Sequence, residues 1–152
     1  MSTAPHYKKP DPFTAHVFNP AVSLLTRSGV SVLGSRILEV PGRKSGLPRR
    51  NPVNLLTIGG VDYLVAPRGE TEWVRNVRAN GMRATLILGR RHQKYLLTEL
   101  PPAERPAILR PYLKRWKWEV GQFFDGVGPD ASDEQLAGIA DRHPVFRLTA
   151  VS

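Results

Sequence analysis

The sequence predicts a mainly antiparallel β fold with short helices at its margins, and three observations carry that expectation. Gly59-Gly60 joins two apolar segments and supplies the positive φ angles a tight hairpin needs. Gly89-Arg90 does the same between Arg83–Leu88 and Arg91–Leu100. The segments with helical periodicity lie outside these hairpins or between them and are short, which favours an antiparallel sheet or barrel over a doubly wound fold.

Taken in order, Phe13, Val17, Ala21, Leu24 and Leu25 recur at helical spacing, so residues 12–27 read as an amphipathic helix with Pro20 inside it and Gly29 after it. Its expected role is to cover one end of the β core; a lid over a pocket or a contact with a membrane surface is the alternative. Ser35–Val40 is a strand, Pro41–Pro48 a loop, and Arg49–Ile58 a second strand whose Pro52 suggests an edge or a bulge. Val61–Ala66 is the third strand. Thr71 is placed to cap a short helix over 72–80, with Trp73 and Val77 on one face and Gly81 as its stop. After the second hairpin, Pro102 opens a helical segment to about Trp118, with Pro106 and Pro111 as points of interruption. Ser132 and Gln135 have the spacing of a capping box for a helix near 133–141, and Val145–Val151 closes the chain as a strand. About six strands in a single domain over 1–152 result.

Composition narrows the function classes. The chain has 152 residues, 41% hydrophobic and 23% charged, and no cysteine, which excludes disulfides, thiolate metal sites and a cysteine nucleophile. His6, His16, His92 and His143 have no ligand spacing, so no metal is expected. Nothing approaches the roughly 18 apolar residues of a membrane span, and the polar start of the chain lacks a signal-peptide core, so a cytoplasmic protein is expected. The net charge of +9 is concentrated: between Arg36 and Lys94 stand 12 basic side chains against four acids. Such a concentration suits a polyanionic partner, whether a phosphorylated cofactor, a nucleic acid or an anionic membrane; a solvated basic surface is the plain alternative.

The chemistry-bearing stretch is Pro41-Gly42-Arg43-Lys44-Ser45-Gly46-Leu47-Pro48-Arg49-Arg50. Two glycines let the backbone approach a ligand, and turn amides can converge on an anion. Arg43 can grip phosphate through two parallel hydrogen bonds, Lys44 adds a point charge and Ser45 a hydroxyl. Arg49 and Arg50 point to opposite faces of a strand, so one of them faces the same ligand. The spacing is not that of a P-loop. As bare chemistry, an exposed basic hairpin is equally consistent with these residues.

The run Val40–Arg49, then Asn51-Pro52-Val53, resembles the signature of the deazaflavin (F420)-dependent nitroreductase family of actinobacteria. Leu64–Gly69, Trp73–Asn80 and His143–Leu148 agree in order and spacing, so the resemblance spans about residues 35–150. It implies a split β-barrel and hydride transfer from the reduced deazaflavin coenzyme F420 to an activated organic acceptor, a quinone, enone or nitro compound. It further implies that Arg43, Lys44, Ser45 and Gly46 contact phosphate and that Arg49, with Asn51 beside it, meets the anionic tail. Ala66, Pro67, Arg68 and Gly69 border the ring or phosphate, and Trp73 and Asn76 complete the cofactor site. Two departures bear on the substrate: Pro67 stands where nitro-reducing members often have Ser, and their tyrosine-rich stretch toward the C-terminus is replaced by Tyr112, Trp116 and Trp118 as the nearest aromatics.

Hydride chemistry carried by a cofactor needs no protein nucleophile. Tyr63, Tyr95, Tyr112 and His92 are candidate hydrogen-bond donors to the acceptor oxygen, with no basis for choosing among them, so no catalytic residue is assigned. The partners expected are a small-molecule acceptor, no specific nucleic acid, and at most peripheral contact with the inner face of a membrane, for a monomer or homodimer. An FMN- or haem-binding split barrel and a non-enzymatic binder of anions are the competing readings.

Overall fold

In a computed structural model, residues 34–151 are described. Six strands, β1 (Ser35–Pro41), β2 (Pro48–Ile58), β3 (Val61–Val65), β4 (Arg83–Leu88), β5 (Arg91–Glu99) and β6 (Val145–Ala150), form a closed antiparallel barrel in the order β1-β2-β3-β6-β5-β4. The helices are α1 (Glu72–Ala79), α2 (Pro106–Val120) and α3 (Asp133–Ile139). This is the split β-barrel expected, with each strand within two residues of its sequence-predicted ends. The helix expected over 12–27 lies outside the described residues.

Both glycine turns take the backbone they were expected to take. Gly59 and Gly60 have φ of 56° and 81°, and the pair Ile58↔Val61 closes the hairpin across them. Pro52 stands at a local edge, as expected, and not at a bulge: it pairs with Ile37 in regular register. Proline is tolerated because β3 covers β2 only over Leu55–Ile58, leaving Pro52 a ladder partner on one side alone.

Alternation along the strands divides the apolar residues into two cores. Leu38, Val40, Val53, Leu64, Leu97 and Phe146 fill the barrel, whose mouth is plugged by Trp73, Val74 and Val77 of α1. The outward residues Leu56, Val65 and Val145 meet Leu109, Tyr112, Leu113 and Trp116 of α2 and Leu136 of α3. Fully burying each such side chain contributes about 1.5–3 kcal/mol, so α2 and α3 are integral to the fold.

The α1 helix ends as expected, with Gly81 in the left-handed region at φ 64°. Its start differs: Thr71 is the N-cap in extended conformation, but its hydroxyl makes no capping hydrogen bond. The capping box at Ser132 and Gln135 is complete in both directions. The segment 102–118 divides into a 3-10 turn, Pro102–Glu104, and α2. Pro106 occupies the first helical position, where a missing N–H is harmless. The departure from helical angles falls at Trp116 (φ −125°, ψ 16°), not at Pro111.

Closure is uneven around the barrel. β1 and β2 pair over seven residues, whereas β1 and β4 pair over three, Ile37↔Ile87 to Glu39↔Thr85.

Candidate functional site

The basic loop between β1 and β2 is a closed turn. Gly42 N–H donates to Leu47 O at 2.8 Å, and Gly46 N–H donates to Gly42 O at 2.8 Å. Gly46 has φ 73°, a conformation that favours glycine. At Gly42 the reason for glycine is space: a Cβ there would stand 2.8 Å from Ser45 Oγ and 3.3 Å from Arg49 Nε. Ser45 Oγ accepts the Leu47 N–H at 3.1 Å, which leaves the hydroxyl hydrogen to donate outward.

The loop is latched to α1 by one side chain. Asn76, 4% exposed, offers its Oδ1 to both the backbone N–H of Arg43 at 3.0 Å and the Nη1 of Arg43 at 2.9 Å. Arg43 also pairs with Glu72 at 2.9 Å, and this contact holds the Glu72 carboxyl below its ordinary range. Arg43 and Asn76 are thus brought together as expected, but they face each other. Arg43 acts within the protein as a strut between loop and helix.

The remaining cations divide by face. Val40 pairs with Arg49 and Glu39 with Arg50. Val40 points into the barrel, so Arg49 shares the inner face, beside Gly42; Arg50 lies outside, with its Nε on Glu39 at 2.8 Å. Asn51, two residues on from Arg49, shares its face and is half-buried opposite Leu38. Lys44 and Arg49 are exposed and enter no ion pair among the described residues. Two unpaired cations beside a free hydroxyl donor are a donor set suited to phosphate or carboxylate oxygens.

In the turn after β3 most of the amides are already engaged. The amides of Ala66 and Gly69 are spent within the protein, on Pro144 O at 2.8 Å and Ala66 O at 3.1 Å, and Pro67 has none to give. Pro67 O lies 3.0 Å from Nδ1 of the buried His143, whose ring stacks on Phe124 at 4.1 Å between centroids. Trp73 packs on Phe146 with centroids 5.8 Å apart, inside the core. Thr71 Oγ1 is buried without a hydrogen-bond partner among the described residues at the start of α1, next to Glu72.

Sequence reasoning missed the charged frame under this turn. Arg78 of α1 binds the Glu70 carboxylate and, at 2.7 Å, Glu99 Oε2, which also meets Arg105 at 3.2 Å. Hydrogen bonding from Arg78 is the main cause holding Glu70 below the usual carboxylate range. Arg105, 6% exposed, donates to Leu100 O and Ala140 O at 2.9 Å each. Arg78 and Glu99 stand 21 positions apart and Arg105 and Ala140 35, so no local motif announces the frame as a whole.

The four candidate donors do not converge. Tyr112 is in the core against Trp116 and Phe124, and burial pushes its phenol strongly up. Tyr63 packs against the α2 cluster, His92 is exposed on β5, and Tyr95 opens onto a cleft at the root of the loop.

Over residues 23–120, well over half of the chain, the sequence matches the family profile of the F420H2-dependent quinone reductases. The chain belongs to that family. It is therefore an oxidoreductase that uses coenzyme F420, which agrees with the recognised signature and favours F420 over the FMN and haem alternatives. Solved structures show the shared fold. An F420H2-dependent reductase aligns at 20% identity and TM-score 0.52, covering 76% of this chain and 94% of its own. A chain solved as a domain-swapped dimer aligns at 20% identity and TM-score 0.54, covering 85% and 91%. A conserved hypothetical protein from Mycobacterium tuberculosis aligns at 13% identity and TM-score 0.51, covering 100% and 87%. No curated protein matches the sequence. Among the described residues no helix is long and apolar enough to cross a membrane.

Proposed function

We propose that this quinone reductase family member passes a hydride from reduced F420 to a quinone-type acceptor, with the coenzyme's phosphate held at Lys44 and Ser45 and its acidic tail at Arg49. The observation that carries the assignment is the pair of cations, Lys44 and Arg49, that enter no ion pair among the described residues, on a turn that Asn76 holds rigid. Bound at this loop, the coenzyme supplies the hydride equivalent that the protein itself cannot.

The chain's own residues bind and orient. Asn76 and Glu72 fix Arg43, so Lys44, Ser45 and Gly46 are presented in one arrangement before any ligand arrives. A preformed loop spares the ligand the cost of ordering it. Gly42 keeps Arg49 close to the turn, so that the phosphate and tail positions adjoin. The Thr71 hydroxyl, buried and without a partner among the described residues, stands at the start of α1, where the helix favours negative charge. Ala66 to Gly69 contribute shape more than amide donors, because the Ala66 and Gly69 N–H groups are already engaged. Trp73 closes the barrel mouth beneath them and excludes water from it.

The test is a fluorescence titration of F420 into wild type and Lys44→Ala. A loss of about fivefold is expected, the worth of one exposed charge-assisted contact near 1 kcal/mol; unchanged affinity removes the loop as phosphate site. Turnover of menadione by reduced F420 tests the acceptor separately, and inactivity across a quinone panel rejects the quinone reading while leaving the coenzyme reading to the titration.

A further inference from the structure

The ladder between β1 and β4 stops at Glu39↔Thr85, although β1 runs two residues further. Pro41 has no N–H with which to extend it. The strands part there, and the gap is a cleft of about 260 Å³. At about 30 Å³ per water in the liquid, it holds about nine waters or an organic molecule of like size.

Its chemistry is amphipathic. Pro41, Pro48, Arg83, Lys94, Tyr95 and Glu39 line it together. Glu39 is neutralised by Arg50. Neither Arg83 nor Lys94 enters an ion pair among the described residues. Asn80 Nδ2 donates to Arg83 O at 3.0 Å and so fixes the backbone from which that guanidinium projects. The lining therefore keeps two uncompensated cations beside apolar prolines.

We infer that this cleft is a binding site for a small carboxylate, its anionic group between Arg83 and Lys94 and its carbon skeleton against the two prolines. A guanidinium forks onto two carboxylate oxygens and an ammonium adds a point charge, a combination poorly suited to a neutral ligand. The same chemistry has two sources, a free organic acid or the carboxylates of the coenzyme's acidic tail reaching over from the loop whose root these prolines form. The second source rests on the proposed function; the first does not.

The experiment is a titration of the full chain with glutarate, followed by two-dimensional amide NMR, on wild type and on an Arg83→Gln/Lys94→Gln variant. Saturable shifts at Thr85, Lys94 and Tyr95 are expected in wild type, with affinity at least about tenfold weaker in the variant, since two charge-assisted contacts are lost. Glutaramide, of the same size without charge, should leave these amides unmoved. Unsaturable shifts scattered over the surface, or equal affinity in the variant, overturn the site. If the double variant's spectrum is that of an unfolded chain, Lys94→Gln alone serves, with a loss of about threefold expected for one exposed contact. A parallel F420 titration separates the sources: coenzyme affinity that falls with glutarate affinity assigns the carboxylates to the tail, and unchanged coenzyme affinity assigns a separate acid. Glutarate binding in the cleft together with F420 binding indifferent to Lys44→Ala would sink the loop reading and leave the cleft standing.

Discussion

Asn76 Oδ1 accepts two hydrogen bonds from Arg43, one from its main chain and one from its guanidinium. A single buried amide oxygen thereby fixes both the path of the basic turn and the direction of its first cation. Asn76→Leu removes both bonds and leaves a similar volume. It should cost about 1–3 kcal/mol, seen as a lower urea midpoint at unchanged slope, and should weaken F420 binding although residue 76 itself faces the protein. Full F420 affinity in the variant would show that the turn holds its shape alone.

The carboxyl of Glu119 is pushed up by burial, with a smaller opposing pull from Asn54, whose Nδ2 donates to Glu119 Oε1 at 3.1 Å. Because its folded value is raised, the stability it contributes is present below the unfolded value near 4.3 and is lost as pH rises through the folded value. Glu119→Gln keeps the acceptor oxygen and abolishes the charge. The variant should melt higher than wild type at pH 7 and alike at pH 4; a lower melting temperature at pH 7 would contradict this.

Glu70 has the opposite sign. Its folded value is lowered, first by hydrogen bonding to Arg78, so its contribution is present above about 4.3 and disappears as pH falls through the folded value. Glu70→Gln should flatten the fall in melting temperature between roughly pH 4.5 and pH 3. Being only partly buried, the pair changes the slope modestly, and a variant as acid-sensitive as wild type would place the acid limb elsewhere.

Gly34 has φ 88°, and a Cβ on it would stand 2.7 Å from Leu55 O and 3.3 Å from the Trp116 ring. Since Leu55 N–H donates to Gly34 O at 2.8 Å, the strand cannot move aside cheaply. Gly34→Ala should destabilise by about 1–3 kcal/mol, measured by calorimetry. A neutral result would mean that the start of β1 relaxes freely.

The strands and their turns were legible because period-two patterning and paired glycines act over a few residues, as at Gly59-Gly60. The basic turn was legible for the same reason, its cations and glycines being adjacent. Its latch was not, since Arg43 and Asn76 stand 33 positions apart and meet only after the barrel forms. The interruption at Pro106 was legible, whereas the bend in α2 was not, for a related cause. Prolines mark local interruptions, but Trp116 leaves helical geometry where its ring is fully buried against Tyr112, a constraint the tertiary packing imposes. Thr71 was placed correctly at the helix start, while the fate of its hydroxyl depended on surroundings that spacing does not encode.

A hoop of six staves parts at its thinnest joint. Here that joint is the three-pair ladder of Ile37, Leu38 and Glu39 against Ile87, Leu86 and Thr85. Few residues need separate for it to unzip, and unzipping frees two raw strand margins at once, each able to recruit a matching strand from a second copy. Deuterium should therefore enter the amides of this joint before those of the seven-pair β1–β2 ladder, and clumping during refolding should start from the same place.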